Sequence, residues 1–527
     1  MRHAWNADQP GMSPMTRKST ARRGRTRLAC AIAAVFALAA AGSGVADADT
    51  HDWIRFRNDP AQRLFPALPG PRDASSPAAP AATWPVTQCG DDGPGSLRAA
   101  VAGAASGDTV DLTALACSTI TLETGAIEIG IDDLTLAGPG RNELSIDGNQ
   151  LDRVLVHPRG GTLHVRGLTL RNGRISAENF DITGGGCVAS AGYLLIEDST
   201  VRDCSSVAIG SYGGGIYAYS LAMQNSTLAS NRALGSHIDA STAAFGGGAF
   251  VYQMLLLDST VSGNLAEHRT APWRDSYDIG GGILSVRGGF VSGSTVDHNV
   301  ADGRGGGIAT FTSMAVSNST FSGNVAAAGT GGALFVRRPS TFDIGNSTIT
   351  ANVATDGGGG IWIGANASYL HSSIVHGNSG GSGAADIDNP FEMTIAGHSN
   401  LVGEAGAQVA LPPDTLDADP LLAPLAYYGG TTRTHALEAG SPAVDTGSNT
   451  ANLALDQRGE PFPRVYGPSA DIGAFEQQGT SVGRVATPVP ALSAWLSGLL
   501  ALLVGASAWP RLRSRRARRA QAQPPHA

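Results

Sequence analysis

The amino-acid sequence predicts an all-β fold, a single-stranded, right-handed parallel β-helix with an N-terminal cap and a loop-rich C-terminal cap. Three observations lead to this prediction. A short phrase recurs along the chain, apolar runs of strand length lie between its fixed points, and no helix-forming segment is long enough for the crossovers of a βαβ fold. Parallel strands without such crossovers can stack only by coiling on themselves, and such coils are most often right-handed.

The recurring phrase consists of two or three glycines, an apolar run, a Ser-Thr pair and an Asn five residues after the Ser. One copy runs from Gly246 through the apolar segment 249–257 to Ser259 and Asn264. The distance from Ser to Asn is nearly constant, whereas the distance from Asn to the next glycine varies, so insertions leave each coil at one corner. An Asn at a fixed point would point inward and bond its amide to the equivalent amides of neighbouring coils. We therefore predict a structural ladder of Asn231, Asn264, Asn299, Asn324, Asn352 and Asn378.

Three segments precede the regular repeats. Residues 1–48 are predicted to be a signal peptide, because a basic stretch precedes the apolar run from Leu28 to Ala41 and small residues follow it. Residues 49–85 are rich in Pro and Ala and predict a linker. We expect residues 86–183 to form the N-terminal cap and the first, less regular coils, and residues 184–400 to form the regular repeats.

Four cysteines remain once the leader is removed, an even number in an oxidising compartment. Proximity in sequence favours pairing Cys89 with Cys117 and Cys187 with Cys204, although spacing alone does not prove either pair. Cys204 stands where other copies carry the ladder Asn. A disulfide or buried thiols filling the first regular coil is therefore favoured over a redox or metal pair.

The composition fits a solenoid and argues against nucleic acid as a partner. Glycine accounts for 70 of 527 residues, charged residues for 15%, and the net charge is -8. Typical globular domains have about 25% charged residues. A chain with this charge has no basic face for nucleic acid.

No cofactor, metal site or catalytic residue is predicted. The histidines are scattered and none has metal-ligand spacing. Asp386 and Asp388 share a strand face and could bind Ca²⁺, but a structural turn is the favoured interpretation.

Several phrases resemble bacterial secreted β-helix proteins that carry polymorphic outer membrane protein repeats. The phrases are the run 89–100, the segment 167–173, the glycine repeats, and Gly331-Gly332-Ala333 with Phe321-Ser322-Gly323-Asn324. Within the C-terminal element, residues 401–478, the stretch 419–476 is similar to the choice-of-anchor Q domain. The resemblance implies a surface protein that carries one of several alternative anchors after this domain.

An anchor follows a short linker at 479–488. Residues 489–527 resemble an IPTL-type sorting signal processed by an exosortase-like membrane protease, with motif residues Pro490, Leu492 and Trp495, although Val489 and Ala491 stand where the pattern has Ile and Thr. The apolar run from Leu492 to Trp509 is eighteen residues, just enough to cross a hydrocarbon core of about 30 Å, and an arginine tail follows. A permanent membrane anchor is the alternative. Either interpretation places the repeats outside the cytoplasmic membrane, at the cell surface, outer membrane or exterior of a Gram-negative-like bacterium.

These features favour a binding, adhesive or structural role without catalysis. The inserted loops are the candidate contact sites, because solenoids bind where their repeats vary, and one loop carries Trp273, Arg274 and Tyr277. The expected partner is a glycan or a surface protein. The alternative is a polysaccharide lyase or glycoside hydrolase on the same scaffold, which would need acidic and basic groups clustered on one exposed sheet face.

Overall fold

The computed structural model describes residues 81–235, 243–268, 279–337, 341–364, 367–381 and 383–479. It confirms the predicted fold class, since the strands form a right-handed parallel β-helix of about ten turns. The described strands and the C-terminal element belong to one compact unit that ends at Gln477. No helix in the described ranges is long and apolar enough to cross a membrane. The predicted signal peptide and the predicted sorting signal, with Pro490, Leu492 and Trp495, lie outside the described residues.

The described ranges contain one α-helix, α1 (Leu97–Gly103), and the following strands. In chain order these are β1 (Thr83–Pro85), β2 (Asp108–Asp111), β3 (Thr119–Thr121), β4 (Ile127–Glu128), β5 (Leu134–Ala137), β6 (Ser145–Asp147), β7 (Leu155–His157), β8 (Thr162–Arg166), β9 (Thr169–Arg171), β10 (Arg174–Gly184), β11 (Val188–Glu197), β12 (Thr200–Arg202), β13 (Ser205–Tyr212), β14 (Ile216–Gln224), β15 (Thr227–Ala229), β16 (Arg232–Gly235), β17 (Ala244–Phe245), β18 (Ala249–Leu257), β19 (Thr260–Ser262), β20 (Leu265–His268), β21 (Ile283–Ser285), β22 (Gly289–Ser292), β23 (Thr295–Asp297), β24 (Val300–Ala301), β25 (Ile308–Thr310), β26 (Met314–Ser317), β27 (Thr320–Ser322), β28 (Val325–Ala326), β29 (Leu334–Val336), β30 (Thr341–Gly345), β31 (Thr348–Thr350), β32 (Val353–Ala354), β33 (Ile361–Ile363), β34 (Ala367–His371), β35 (Ile374–Val375), β36 (Ser379–Gly380), β37 (Ile387–Asp388), β38 (Met393–His398), β39 (Leu401–Val402) and β40 (Val409–Ala410).

These strands form three parallel sheets that enclose one apolar core. Sheet 1 has 20 described strands and includes the pairs on either side of a bend, such as β21 and β22. Sheet 2 has 11 described strands, from β3 to β39, and holds the strands that follow each Ser. Sheet 3 has nine described strands, among them β10, β13, β16 and β20, and holds those that follow each ladder position. From β10 to β36, each coil therefore contributes to all three sheets in a fixed order.

One regular coil shows how the phrase makes its corners. Backbone φ is positive at Gly280 (77°), at Gly293 (63°) just before the Ser, and at His298 (53°) just before the ladder Asn. The left-handed region favours Gly, and Asn and Asp enter it more readily than other residues. This requirement explains why the residue before the Ser is Asn318 in the next coil, with φ of 54°. The Asn-Ser-Thr triplets therefore form a corner of each coil, where the Asn takes the left-handed backbone conformation.

The six predicted ladder asparagines are buried and hydrogen-bonded in series. Each Nδ2 donates to Oδ1 of the next Asn, over 3.0 Å from Asn231 to Asn264, 2.9 Å on to Asn299, and 2.8 to 2.9 Å in the following steps. The backbone N–H of each Asn donates to the same oxygen, and Nδ2 also reaches a carbonyl of the preceding coil. The column ends on the carboxylate of Asp386, to which Asn378 Nδ2 donates over 2.7 Å.

A second buried column, of serines, runs beside the first and is not anticipated by the sequence analysis. The backbone N–H of Ser259 donates to Oγ of Ser294 over 3.0 Å, and that of Ser294 donates to Oγ of Ser319 over 3.2 Å. Each Oγ donates in turn to the carbonyl two residues earlier in its own coil, as Ser294 does to Ser292. The column ends at Asn400, whose Oδ1 accepts from the N–H of Ser373. The Asn ladder and the Ser column thus fix the register between neighbouring coils.

Asn299→Ala tests the ladder at its centre. The substitution removes the acceptor of the Asn264 N–H and a donor to the Val261 carbonyl, both buried. Because a buried polar group that loses its partner costs about 1–3 kcal/mol, we expect unfolding to become easier by about 3 kcal/mol or more. Urea denaturation of the purified chain measures the change. The exposed Asn142→Ala is the control, and equal stability of the two variants would contradict the structural role.

The two disulfides of the structure join Cys89 to Cys117 and Cys187 to Cys204. The second replaces a Gly–Asn contact. A Cβ added to Gly215 would lie 2.7 Å from Cγ of Asn231, and one added to Gly282 would lie 3.1 Å from Cγ of Asn299, so this glycine position packs closely against the ladder side chain. Cys187 occupies the position of these glycines and Cys204 that of the Asn. The chain has therefore exchanged a packed Gly–Asn pair for a covalent one at the same corner.

Restoring the pair should extend the ladder by one residue. We expect Cys187→Gly combined with Cys204→Asn to be more stable than Cys187→Ala combined with Cys204→Ala, because only the first supplies the amide that can donate to Asn231. Both double variants lose the cross-link, which is typically worth about 3 kcal/mol for a loop of this size. Thermal denaturation ranks the two variants. The opposite order would contradict the proposal that Cys187 and Cys204 occupy the positions of the glycine and the ladder Asn.

The N-terminal cap begins before the residue at which the sequence predicts order. Strand β1 lies inside the predicted linker and pairs in parallel with β2. It is held there because Asp108 accepts hydrogen bonds from Trp84 Nε1 (2.8 Å) and from the Ala82 N–H (2.7 Å). Helix α1 follows, with the Ala99 N–H donating to Oγ of Ser96, and buries Leu97 and Val101 against the first coil.

The C-terminal element both covers the last coil and folds back along the solenoid. Val409 packs against the end of the apolar core. The chain then returns along the outer face of sheet 2, where the outward threonines of the phrase meet it. Thr320 bonds to Thr434 over 2.9 Å and to Gln457 over 2.5 Å, and Thr348 accepts the Ala474 N–H over 3.0 Å. The Thr of the phrase is therefore a docking residue for the distal part of the chain.

A buried charge network holds this element together. Arg458 pairs with Asp456 over 2.6 Å and Arg464 pairs with Glu476 over 3.0 Å, while Asp471 lies beside them. The three acids outnumber the two guanidinium groups. Burial raises the pKa of Glu476 to about 7, although Arg464 and two backbone N–H groups oppose the shift. Burial raises the pKa of Asp471 as well.

These raised pKa values give a pH dependence of defined sign. The unfolded Glu476 side chain loses its proton near the ordinary pKa of 4.5, whereas the folded side chain keeps it to about pH 7, so its contribution to stability falls as pH rises through that window. We expect Glu476→Gln to flatten this slope in urea denaturation between pH 5 and 8. The lowered pKa values of buried His157 and His435 make stability rise with pH, which is the opposite effect. The test is therefore the difference in unfolding free energy between wild type and Glu476→Gln at each pH. The exposed Glu438→Gln should leave the slope unchanged, and a flat difference curve for Glu476→Gln would contradict the assignment.

Candidate functional site

The residues singled out by sequence analysis do not converge on one site within the described part of the chain. The ladder asparagines and the four cysteines are buried in the scaffold, as described above. The predicted contact residues Trp273, Arg274 and Tyr277 lie outside the described residues.

Asp386 and Asp388 serve the backbone in the structure. Asp386 is 3% exposed, terminates the Asn ladder through Oδ1 and accepts the Glu404 N–H through Oδ2 over 2.8 Å. Asp388 accepts the N–H of Asn389 over 2.9 Å. Within the described ranges, no group of three or more His, Cys, Asp or Glu side chains is placed to hold a metal ion.

The outer face of sheet 1 carries the aromatic side chains. Strand alternation places Ile216 and Ala218 in the core, so Tyr217 and Tyr219 point outward, and β18 repeats the pattern with Phe250 and Tyr252. The outward column that contains Tyr217 and Phe250 is largely buried. Its members pack together in a cluster separate from the main core, namely Tyr217, Phe250, Leu284, Ala309, Phe335 and the partly buried Trp362.

A tyrosine column, Tyr193, Tyr219 and Tyr252, lies beside it on three successive coils. Tyr219 and Tyr252 hold the second outward position of their strands, whereas Tyr193 is in register with Ser220. The rings of Tyr219 and Tyr252 are stacked at 5.5 Å with planes 23° apart, and Tyr193 meets Tyr219 edge to face at 6.3 Å. Tyr193 is 38% exposed, and the other two are half-buried. Partial burial, with a smaller contribution from Tyr219, raises the pKa of Tyr193, so its hydroxyl stays neutral at physiological pH.

An apolar column runs beside the tyrosines on the same face. Strand register places one side chain per coil in line, and the members are Leu195, Ala222, Leu255, Phe290 and Ala315. His164, paired with Glu197 over 2.9 Å, precedes the column, and Asp343 and Tyr369 follow it in register. The result is a long strip of ring and aliphatic side chains, partly exposed except for the buried Leu255, with ionisable groups at both ends.

This strip suits a flat, extended ligand. Aromatic rings with a polar tip offer broad contact area at a small entropic cost, and phenolic hydroxyls can exchange hydrogen bonds with a polar ligand. A column parallel to the solenoid axis presents a repeated contact to a repeated ligand. Polysaccharides have both properties, a weakly apolar ring face and a repeat along the chain.

Sequence reasoning missed the column although a signal for it exists. Tyr217-Ala218-Tyr219 and Phe250-Val251-Tyr252 alternate aromatic and small residues, which predicts aromatic side chains on one face. Alternation does not say which face, and Tyr193 joins the column only because the register between β11 and β14 shifts after Ser190. Such a shift is not visible in the sequence.

No protein-family model matches this sequence, and no curated protein matches it. Among solved structures, the chain is similar to a pectate lyase, Pel9A, with a TM-score of 0.43 and 14% identity over 75% of this chain and 96% of that chain. The strand pairing described above establishes the parallel β-helix independently of this likeness.

Proposed function

We propose that this chain is exported, is anchored at the cell surface and binds an extended polysaccharide along the outer face of sheet 1 without transforming it. The observation that carries the proposal is the tyrosine column with the apolar column beside it. Such a strip on a rigid solenoid gives contact area at little cost in ordering, since the rings are already held by their coils.

The anchoring part of the proposal rests on sequence features. The N-terminal signal peptide, the similarity to the choice-of-anchor Q domain and the IPTL-like tail would carry the solenoid across the membrane and deliver it to a sorting protease. The C-terminal span would hold the chain in the membrane before that step. A surface protein remains the alternative partner to a glycan.

The alternative function is that of a polysaccharide lyase or glycoside hydrolase on the same scaffold. The observation that favours it is the group of ionisable side chains at one end of the strip, Asp343, Tyr369 and His371, which lie on adjacent strands of the same face. Burial is the main cause of a lowered pKa at His371, which would keep this imidazole neutral and able to accept a proton near neutral pH.

A panel of plant, algal and bacterial polysaccharides separates the two functions. The purified chain is run through gels containing each polymer, and the same mixtures are assayed for new chain ends with and without Ca²⁺. Retention without new ends supports the binding function. New chain ends would replace it with the enzymatic alternative, and neither retention nor new ends would redirect the search to protein partners.

Variants of the column locate the binding face. We expect Tyr219→Ala to weaken retention about tenfold, since an interface tyrosine that is truncated typically costs more than 1 kcal/mol, whereas Tyr219→Phe should retain most of the affinity. Tyr427→Ala, a tyrosine that is 65% exposed on the C-terminal element, is the matched control. Equal retention of Tyr219→Ala and Tyr427→Ala would exclude the column as the site.

A further inference from the structure

Two histidines occupy equivalent positions on neighbouring strands at the far end of sheet 1. His371 ends β34 and His398 ends β38, and the two residues are paired in the strand register. Their ring centroids are 5.1 Å apart and the ring planes are tilted by 56°. Rings whose centroids lie this close can share one metal ion, since metal–imidazole bonds are about 2.0–2.1 Å long.

The hydrogen bonds of the two rings are unequal. His398 Nδ1 lies 3.2 Å from Oγ of Ser448 and 3.4 Å from Oγ of Ser399. In contrast, Nδ1 of His371 is buried and has no hydrogen-bond partner among the described residues. Buried polar atoms in proteins almost always have a partner, so this nitrogen calls for an explanation.

We propose that His371 and His398 together bind one divalent transition-metal ion, such as Zn²⁺, Cu²⁺ or Ni²⁺. Imidazole nitrogens suit these ions, and a hydrogen bond on the second nitrogen is the usual way in which a protein orients a histidine ligand, here Ser448 on His398. The two histidines alone leave coordination positions for water or for an oxygen of a bound ligand.

The surroundings favour a cation in this place. Asp343 lies on β30, two strands from His398, and its charge acts on His371. Because Ser448 belongs to the C-terminal element, a bound ion would also link the solenoid to that element.

The test is a titration of the full chain, purified without a polyhistidine tag, with ZnCl₂ in a calorimeter. We expect one ion per chain, and at least tenfold weaker binding for His371→Ala and for His398→Ala. His164→Ala, a half-buried histidine on the same face that is paired with Glu197, should bind as the wild type does. Circular dichroism of each metal-free variant checks that the fold is retained.

Unchanged zinc affinity in both His371→Ala and His398→Ala, or an equal loss in His164→Ala, would overturn the proposal. If either variant fails to fold, X-ray absorption of the wild-type chain loaded with one equivalent of Zn²⁺ decides. Two imidazole nitrogens in the zinc shell would support the site, and a shell of oxygen atoms alone would overturn it.

Discussion

The buried amide of the ladder asparagine is the constraint on which the rest of the molecule depends. Each side chain has two donors and an acceptor inside an apolar core, and these can be satisfied only by the equivalent residue one coil away and by a backbone carbonyl on the other side. A coil that changed its path would leave several polar groups buried and unpaired. The serine column imposes the same condition at the next corner, so the interior is held nearly constant from coil to coil.

A fixed interior leaves the outer faces to differ, and each face serves a different purpose. The outward threonines Thr320 and Thr348 of sheet 2 are buried and hydrogen-bond to the C-terminal element through Thr434, Gln457 and the backbone of Ala474. Within the described residues, the outer face of sheet 1 carries aromatic and aliphatic side chains, several of which are partly exposed. Ligand recognition is therefore expected on sheet 1, whereas sheet 2 binds the C-terminal element of the same chain.

The sequence predicts the coil well, because its rules are local. The spacing from Ser to Asn is sufficient to foresee the fold and the corner at which loops emerge, and proximity suggested both cysteine pairs. The return of the C-terminal element along sheet 2 was not foreseeable, since contacts such as Asn346 to Ser448 join residues about a hundred positions apart. The tyrosine column also escaped prediction, because it depends on a register shift in β11 and on which side of the strand faces the core.

The buried ladder makes the interior structural, and we propose that recognition takes place on the outer face of sheet 1. Hydrogen–deuterium exchange of the full chain, with and without a polysaccharide that it retains, tests this claim most directly. We expect added protection in the peptides that contain Tyr193, Tyr219 and Tyr252, and little change in residues 419–477. Protection confined to the C-terminal element, or absent from all three tyrosine-bearing strands, would contradict it.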